Sequence, residues 1–117
     1  MVHEQHEVFR TVPFPFADGR FPHNLGAVIQ RTVAEGTMPA LTVVHDKDGG
    51  WMVGDGINDP NLPGACGVYC IAHVAEDDPT VQETATLPPG YAAYRDAPGQ
   101  SWSVEPFTYE DEDTPSD

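Results

Sequence analysis

Cys66, Cys70 and His73 are the residues whose types and spacing first suggest chemistry. On a helix they would share one face, and thiolate and imidazole groups are ligands that Zn²⁺ prefers. On a strand, Cys66 and Cys70 would lie about 13 Å apart on one face, with His73 on the other. Structural zinc also needs a fourth ligand at recognisable spacing, which this segment lacks. We therefore expect no metal or other cofactor, and we keep a small metal-dependent enzyme at these three residues as an alternative.

The same strand spacing argues against a disulfide between the two cysteines. A disulfide tolerates roughly 4.4–6.8 Å between Cα atoms, about half the separation expected on a strand. Two cysteines also do not make the disulfide framework of a small secreted protein. We expect two free, buried thiols.

Acidic residues in glycine-rich turns are the next candidates, because Ca²⁺ takes several oxygen ligands. Asp46, Asp48, Asp55 and Asp59 lie in or beside such turns. Their spacing does not match an EF-hand loop, and no acid occupies the closing position of that loop. Aspartate beside glycine is an ordinary turn former, so these residues predict turns rather than a calcium site.

Residue types for acyl transfer are also present, with Cys70 as nucleophile, His45 or His73 as base, and Asp55 as the orienting acid. The motifs that would position them are missing. The chain has no nucleophile elbow, no phosphate-binding glycine loop before a helix, and no paired basic residues to hold an anionic substrate. We expect a protein that is not an enzyme.

The segment after Asn24 has the clearest helical pattern. Asn24 is a good N-cap, and Gly36 is a good residue just past a C-terminus. Four apolar residues recur at helical spacing between them, namely Leu25, Val28, Ile29 and Val33. The pattern predicts one main helix over residues 24–35.

A second, shorter helix is predicted over residues 79–86. Asp78 is an N-cap candidate, and Pro79 fits the first helical position because its missing N–H is not needed there. The run Leu87-Pro88-Pro89-Gly90 ends this helix.

The remaining apolar segments predict strands. Residues 40–45 and 51–53 form a hairpin around a glycine-rich turn, and residues 91–95 and 101–105 form a second one. The nearly continuous apolar run at 68–74 indicates a strand covered on both faces in the middle of a sheet, with a helix as the alternative. The fold class predicted is α+β, with a mostly antiparallel sheet of about five strands.

The net charge of the chain limits the kinds of molecule that it can bind. The chain of 117 residues has 5 basic and 19 acidic side chains, for a formal net charge of −14. Such a surface would repel nucleic acid phosphates and anionic membranes. No apolar run is long enough to span a bilayer, and the first residues lack a signal-peptide pattern, so we expect a cytoplasmic protein. The charge serves solubility or complements a basic partner.

Composition along the chain predicts one domain over residues 1–107, whose first several residues are loose. The last ten residues, 108–117, are predicted to be a disordered acidic tail, because they contain no base and no core-forming residue after Tyr109.

A resemblance runs from Trp51 to Trp102. Its features are a glycine-flanked tryptophan in GWMVGDG (50–56), the apolar run at 68–74, the segment LPPGYAAYRD (87–96) and the late Trp102. Residues 33–39, VAEGTMP, fit the same pattern. This order resembles a family of small acidic bacterial proteins first catalogued as a domain of unknown function and later grouped with immunity proteins of polymorphic toxin systems. The resemblance implies an α+β fold, toxin binding and no catalytic residue. The chain departs from the pattern at Cys66, Cys70 and His73 and in its acidic tail.

Together these observations predict a protein-binding domain, an immunity-type inhibitor that covers a basic surface of a toxin or another basic protein. The candidate partner-binding residues lie in loops and at strand ends; they are Asp55, Asp59, Glu76, Asp77 and Tyr94. A second alternative that is not an enzyme is an accessory or regulatory domain of unknown role, without a toxin partner.

Overall fold

The computed structural model describes residues 14–16, 19–22, 25–57 and 62–107, which form an α+β fold built on one mixed sheet. In chain order the elements are β1 (Gly26–Gln30), α1 (Arg31–Ala34), β2 (Thr42–His45), β3 (Trp51–Gly54), β4 (Cys66–Cys70), α2 (Ile71–Asp77), a 3₁₀ helix (Pro79–Thr86), β5 (Tyr91–Tyr94) and β6 (Ser103–Pro106).

The sheet has six strands in the order β4-β1-β3-β2-β5-β6. β1 runs parallel to β3, and every other neighbouring pair is antiparallel. The predicted fold class and the mostly antiparallel sheet are therefore confirmed. The sheet contains one strand more than expected, because β1 belongs to it.

The predicted main helix over 24–35 is wrong. Gly26–Gln30 forms β1, and only the following four residues form the single turn of α1. Leu25, Ala27 and Ile29 alternate along the chain, and all three are almost completely buried. The apolar residues therefore satisfy the two-residue period of a strand as well as the helical period, and β-branched Val28 and Ile29 favour extended backbone.

One part of that prediction is confirmed. Gly36 lies just past the C-terminus of α1, with a φ of +81°, and its N–H donates to the carbonyl of Val33. Glycine adopts this left-handed conformation without the steric cost that a Cβ adds. Asn24, the predicted N-cap, lies outside the described residues.

The apolar run at 68–74 is not a central strand. Its first part belongs to β4, which pairs with β1 alone and forms an edge of the sheet, and the chain becomes α2 at Ile71. Val68 on this edge is 53% exposed. The run is continuously apolar because α2 buries Ile71, Ala72, Val74 and Ala75 against the sheet. The helical alternative was therefore correct for its second part.

Both predicted hairpins are confirmed. β2 pairs with β3, and His45 lies opposite Trp51, while β5 pairs with β6. The turn after His45 is closed by Asp46, whose carboxylate accepts hydrogen bonds from the backbone N–H groups of Asp48 and Gly50. Local turn chemistry therefore decides this part of the fold.

The short helix over 79–86 is confirmed in position and is a 3₁₀ helix. The Asp78 side chain caps it by accepting from the backbone N–H of Thr80 at 3.1 Å, and Pro79 occupies the first position. Among the described residues, no helix has the length and apolar character needed to cross a membrane.

The hydrophobic core lies on one face of the sheet. α2 and the 3₁₀ helix pack there on alternating strand residues that include Ala27, Ile29, Val43, Trp51, Val53 and Ala93. The other face presents Val28, Val44 and Met52, which line a shallow groove of about 360 Å³ together with Phe107. The sheet therefore separates a packed face from a more open one.

Candidate functional site

Arg95 organises the end of the sheet at which β5 finishes and β2 begins, which we call the Arg95 end. Its side chain is completely buried, and its guanidinium donates to the carbonyl of Ala40 at 2.9 and 3.1 Å, to Thr80 Oγ1 at 2.7 Å and to Asp78 Oδ2 at 2.8 Å. The guanidinium carbon also lies 4.1 Å from the ring centre of Trp102. One side chain thus ties β5 to the loop before β2 and to the junction of the two helices.

Asp78 is the ionic partner of Arg95. Burial by itself would raise the pKa of its carboxyl, but hydrogen bonds from Thr80 and Arg95 and the positive charge of Arg95 outweigh burial and hold the pKa below its ordinary value. The Asp78 carboxylate is therefore charged and committed to the fold. It is not a free acid for a partner.

Glu76 and Asp77 lie next to this junction, in the last turn of α2, and both are exposed. Within the described part of the chain, neither carboxylate forms a hydrogen bond or an ion pair. The structure therefore places these two candidate residues on the surface, with their charges available.

Asp55 does not lie on the surface, in contrast to its predicted role. It is fully buried, accepts from Thr32 Oγ1 at 2.6 Å and from the backbone N–H of Ile57 at 2.8 Å, and donates its own N–H to Gln30 Oε1 at 2.6 Å. A carboxylate enclosed in this way positions the loop after β3 and cannot contact another protein. Asp59 lies outside the described residues.

Tyr94, the last residue of β5, points to the open face of the sheet and is half-buried. Burial, and secondarily the negative charge of Glu105, raise the pKa of its hydroxyl, so the phenol stays protonated. Tyr94 and Asp96 border a second shallow depression beside Thr42. Tyr94 precedes Arg95 and Asp77 precedes Asp78 in the chain, but Tyr94 lies on the open face of the sheet and Asp77 on the side of α2.

The structure does not bring Cys66, Cys70 and His73 together as a metal site. The cysteines occupy the two ends of β4 and are not joined by a disulfide, whereas His73 lies on α2. No group of three or more histidine, cysteine or acidic residues within metal-binding reach exists in the parts of the chain that are described. Both cysteines are thiols, and Cys70 is buried as expected, whereas Cys66 is only half-buried.

Two of the groups considered for acyl transfer are separated. His45 and Asp55 lie at opposite ends of β3, about 13 Å apart by strand geometry. Burial raises the pKa of both thiols, with the charge of Asp55 adding to the effect at Cys66. A protonated thiol is a poor nucleophile.

His45 is packed in the interior and hydrogen-bonded to the backbone. The imidazole is 1% exposed, stacks on Trp51 with ring centres 3.9 Å apart, and lies 2.6 Å from the carbonyl of Leu87 through Nδ1. Because a carbonyl only accepts, Nδ1 carries the proton. Burial lowers the pKa of His45, although the Leu87 hydrogen bond and Asp46 oppose the effect.

Sequence reasoning missed the role of Arg95. The alternation of β5 places Arg95 on the same side as Ala93, which faces the core. A basic residue on a core-facing position needs a buried acceptor. The alternation of residues along β5 therefore already indicated a buried arginine.

Acidic side chains dominate the described surface. The exposed acids are Glu35, Asp48, Glu76, Asp77, Glu83, Asp96 and Glu105, whereas the exposed basic residues are Arg20, Arg31 and Lys47. None of these seven acids forms an ion pair among the described residues. The negative charge is therefore left open to solvent and to a partner.

No protein-family model matches the chain, and no curated protein or solved structure shows significant similarity to it.

Proposed function

We propose that this protein binds and neutralises a basic protein, as an immunity protein inhibits a toxin. The observation that carries the proposal is that, within the described residues, seven exposed carboxylates form no ion pair and only three bases are exposed. Unpaired like charges cost folding stability, and they accelerate association with a surface of opposite charge. A protein-binding function would use these exposed carboxylates to speed association with a basic surface.

The Arg95 end is the contact region that the geometry favours. Glu76 and Asp77 are exposed there beside a junction held by the buried Arg95–Asp78 pair, and Tyr94 is next to Arg95 in the chain, on the opposite face of the sheet. A rigid base lowers the entropy cost of placing charged side chains against a partner. Asp59 remains a candidate contact, whereas the burial of Asp55 removes it from the set.

The resemblance between Trp51 and Trp102 supports the toxin-inhibitor form of this proposal. Its turn and core residues correspond to described elements, since Trp51 opens β3 and Trp102 stacks on Arg95. The expectation of a cytoplasmic protein belongs to the same proposal, because such an inhibitor would act where a toxin reaches the cell interior.

Co-expression with the product of a neighbouring gene tests the function. We expect the full chain to rescue growth from a toxic neighbour and to form a complex whose association rate falls steeply as NaCl rises from about 50 to about 500 mM. Titration calorimetry and stopped-flow mixing at the two salt concentrations measure this. If no neighbouring product is toxic and none forms a complex, the proposal is wrong and the accessory or regulatory alternative is left.

A pair of double variants tests the contact region. Glu76→Gln with Asp77→Asn should weaken the complex and slow its formation. The charge-matched control, Asp48→Asn with Glu83→Gln, removes the same two charges from other parts of the surface. Equal effects from both would mean that only net charge matters and that the Arg95 end is not the contact region.

A further inference from the structure

A cleft of about 290 Å³ lies between the end of α1 and the end of α2. Its apolar walls come from Val33, Met38, Pro39 and Val74, and Asp77 stands at its border. Beside it, a Cβ built on Gly36 would meet no atom within 4 Å, so the approach along Gly36 is open. Small-molecule sites usually occupy about 300–1,000 Å³, so this cleft suits a single side chain better than a larger ligand.

The negative character of the cleft comes from the end of α2, which contributes Val74 and Asp77 and has no basic residue in its last turn. The single turn of α1 adds little, because it contains Arg31 and its carbonyls already accept hydrogen bonds. Helix C-termini carry negative partial charge and stabilise cations. The exposed, unpaired carboxylate of Asp77 adds a full charge.

Within the described ranges of the chain, carbonyl acceptors at the end of α2 receive no helical hydrogen bond. Pro79 has no N–H, and the N–H groups of Thr80 and Val81 donate to the Asp78 side chain and the Asp78 carbonyl. The N–H of Asp78 donates to Val74. The donors that would continue the helix are thus absent for the carbonyls of Ala75, Glu76 and Asp77, and acceptors of this kind attract a cation that donates hydrogen bonds.

We propose that this cleft receives one lysine or arginine side chain of the basic partner. Its aliphatic stem would lie on the Val33 and Val74 wall, and its cationic group would reach Asp77 and the carbonyls at the end of α2. Lysine and arginine combine an apolar stem with a charged head in this way. The inference deepens the proposed function and rests on it, but the cleft can be probed without the partner.

The probe is a set of pentapeptides, Ac-Gly-Ser-X-Ser-Gly-NH₂, titrated into the ¹⁵N-labelled full chain at low salt. We expect saturable shifts of the Gly36, Thr37, Met38 and Asp77 amides when X is lysine or arginine. Norleucine keeps the stem without the charge, and diaminopropionic acid keeps the charge on a short stem. Both should bind about two- to fivefold more weakly, the range of one exposed ion pair.

Asp77→Asn should weaken binding of the lysine peptide by the same factor of roughly two to five. Glu83→Gln removes an exposed charge outside the cleft and should leave the affinity for this peptide unchanged. Removing an acid from a helix C-terminus does not destabilise the helix, so the variant will fold. Equal binding of the lysine and norleucine peptides, or equal effects of the two variants, would overturn the proposal.

The two proposals fail separately. If the partner complex forms and Asp77→Asn leaves its affinity unchanged, the cleft is not the subsite, while the proposed function stands. If the lysine peptide binds in the cleft but no partner is found by co-expression, the cleft is a cation-binding subsite and the toxin-inhibitor function is wrong.

Discussion

The guanidinium of Arg95 donates to acceptors of three residues from two separate parts of the chain, namely Ala40 and the pair Asp78 and Thr80. Trp102 covers the guanidinium and donates its indole N–H to the carbonyl of Thr80 at 3.0 Å. Removing one member of such a group leaves buried polar atoms without partners, and that loss exceeds the net stabilisation of any single bond.

Arg95→Ala should therefore lower the free energy of unfolding by about 3–5 kcal/mol. Urea denaturation measures this change. Arg20→Ala, at an exposed position, serves as the control and should stay within about 0.5 kcal/mol of the wild type. Similar values for the two variants would show that the buried network does not stabilise the fold.

His45 makes stability depend on pH. Burial holds its pKa in the folded protein below the ordinary value of 6.5. Above pH 6.5 both states contain the neutral ring, and the stability from burying it is fully present. Below that pH the unfolded state takes up the proton first, so stability falls as the pH drops towards and through the folded pKa. The lowered pKa of Asp78 acts in a different window, below its ordinary value of 3.8.

We expect the free energy of unfolding to decrease between about pH 7.5 and about pH 5.5, and to decrease less in His45→Gln. Urea titrations at the two pH values give the difference. The same titrations of His73→Gln provide a histidine-to-glutamine comparison at a half-buried position. An unchanged pH dependence in His45→Gln would refute the assignment.

Among the elements, β1 shows most clearly how neighbours decide structure. The strand lies between β3 and β4, and both of its edges are hydrogen-bonded. Ala27 and Ile29 face the core, whereas Val28 faces the groove on the opposite side. The predicted helix would have placed Val28 on the core-facing side and Ala27 elsewhere.

Two substitutions distinguish the observed strand from the predicted helix. Ala27→Asp places a charge in the core of the strand arrangement and should cost at least about 3 kcal/mol of stability. Val28→Thr changes a half-buried side chain on the open face and should cost less than about 1 kcal/mol. Chemical denaturation measures the loss of stability in both variants. A larger loss for Val28→Thr than for Ala27→Asp would support the helix.

For the whole molecule, charge acts in opposite directions on folding and on binding. A formal net charge of −14 and the unpaired exposed acids make the folded chain repel itself. Salt screens this repulsion over a Debye length of about 10 Å at 0.1 M. The same salt would screen the attraction of a basic partner.

The melting temperature should therefore rise between about 20 and about 500 mM NaCl, measured by circular dichroism on the free protein. A variant with Asp48, Glu83, Asp96 and Glu105 changed to their amides should show a smaller rise. A melting temperature that falls with salt would indicate that favourable ion pairs, rather than repulsion, dominate the surface.

The candidate site was only partly predictable. Glu76, Asp77 and Tyr94 occupy ordered positions at a helix end and a strand end, whereas Asp55 is enclosed by Thr32 and Gln30. Acidic residues in glycine-rich loops look alike in a sequence. Whether one of them is buried depends on which distant donors the fold brings to it.

The sequence by itself determined the α+β class, the two hairpins, the position and cap of the short helix over 79–86, and the acidic character of the chain. These follow from turn residues, an N-cap, a proline and charge, which act over a few neighbouring positions. Only the tertiary structure decided that residues 26–30 form a strand, that 71–77 leave the sheet as a helix, and that Arg95 is buried against Asp78. Those outcomes depend on pairing between residues far apart in the chain, because the same apolar pattern fits a helix or a strand until its partners are in place.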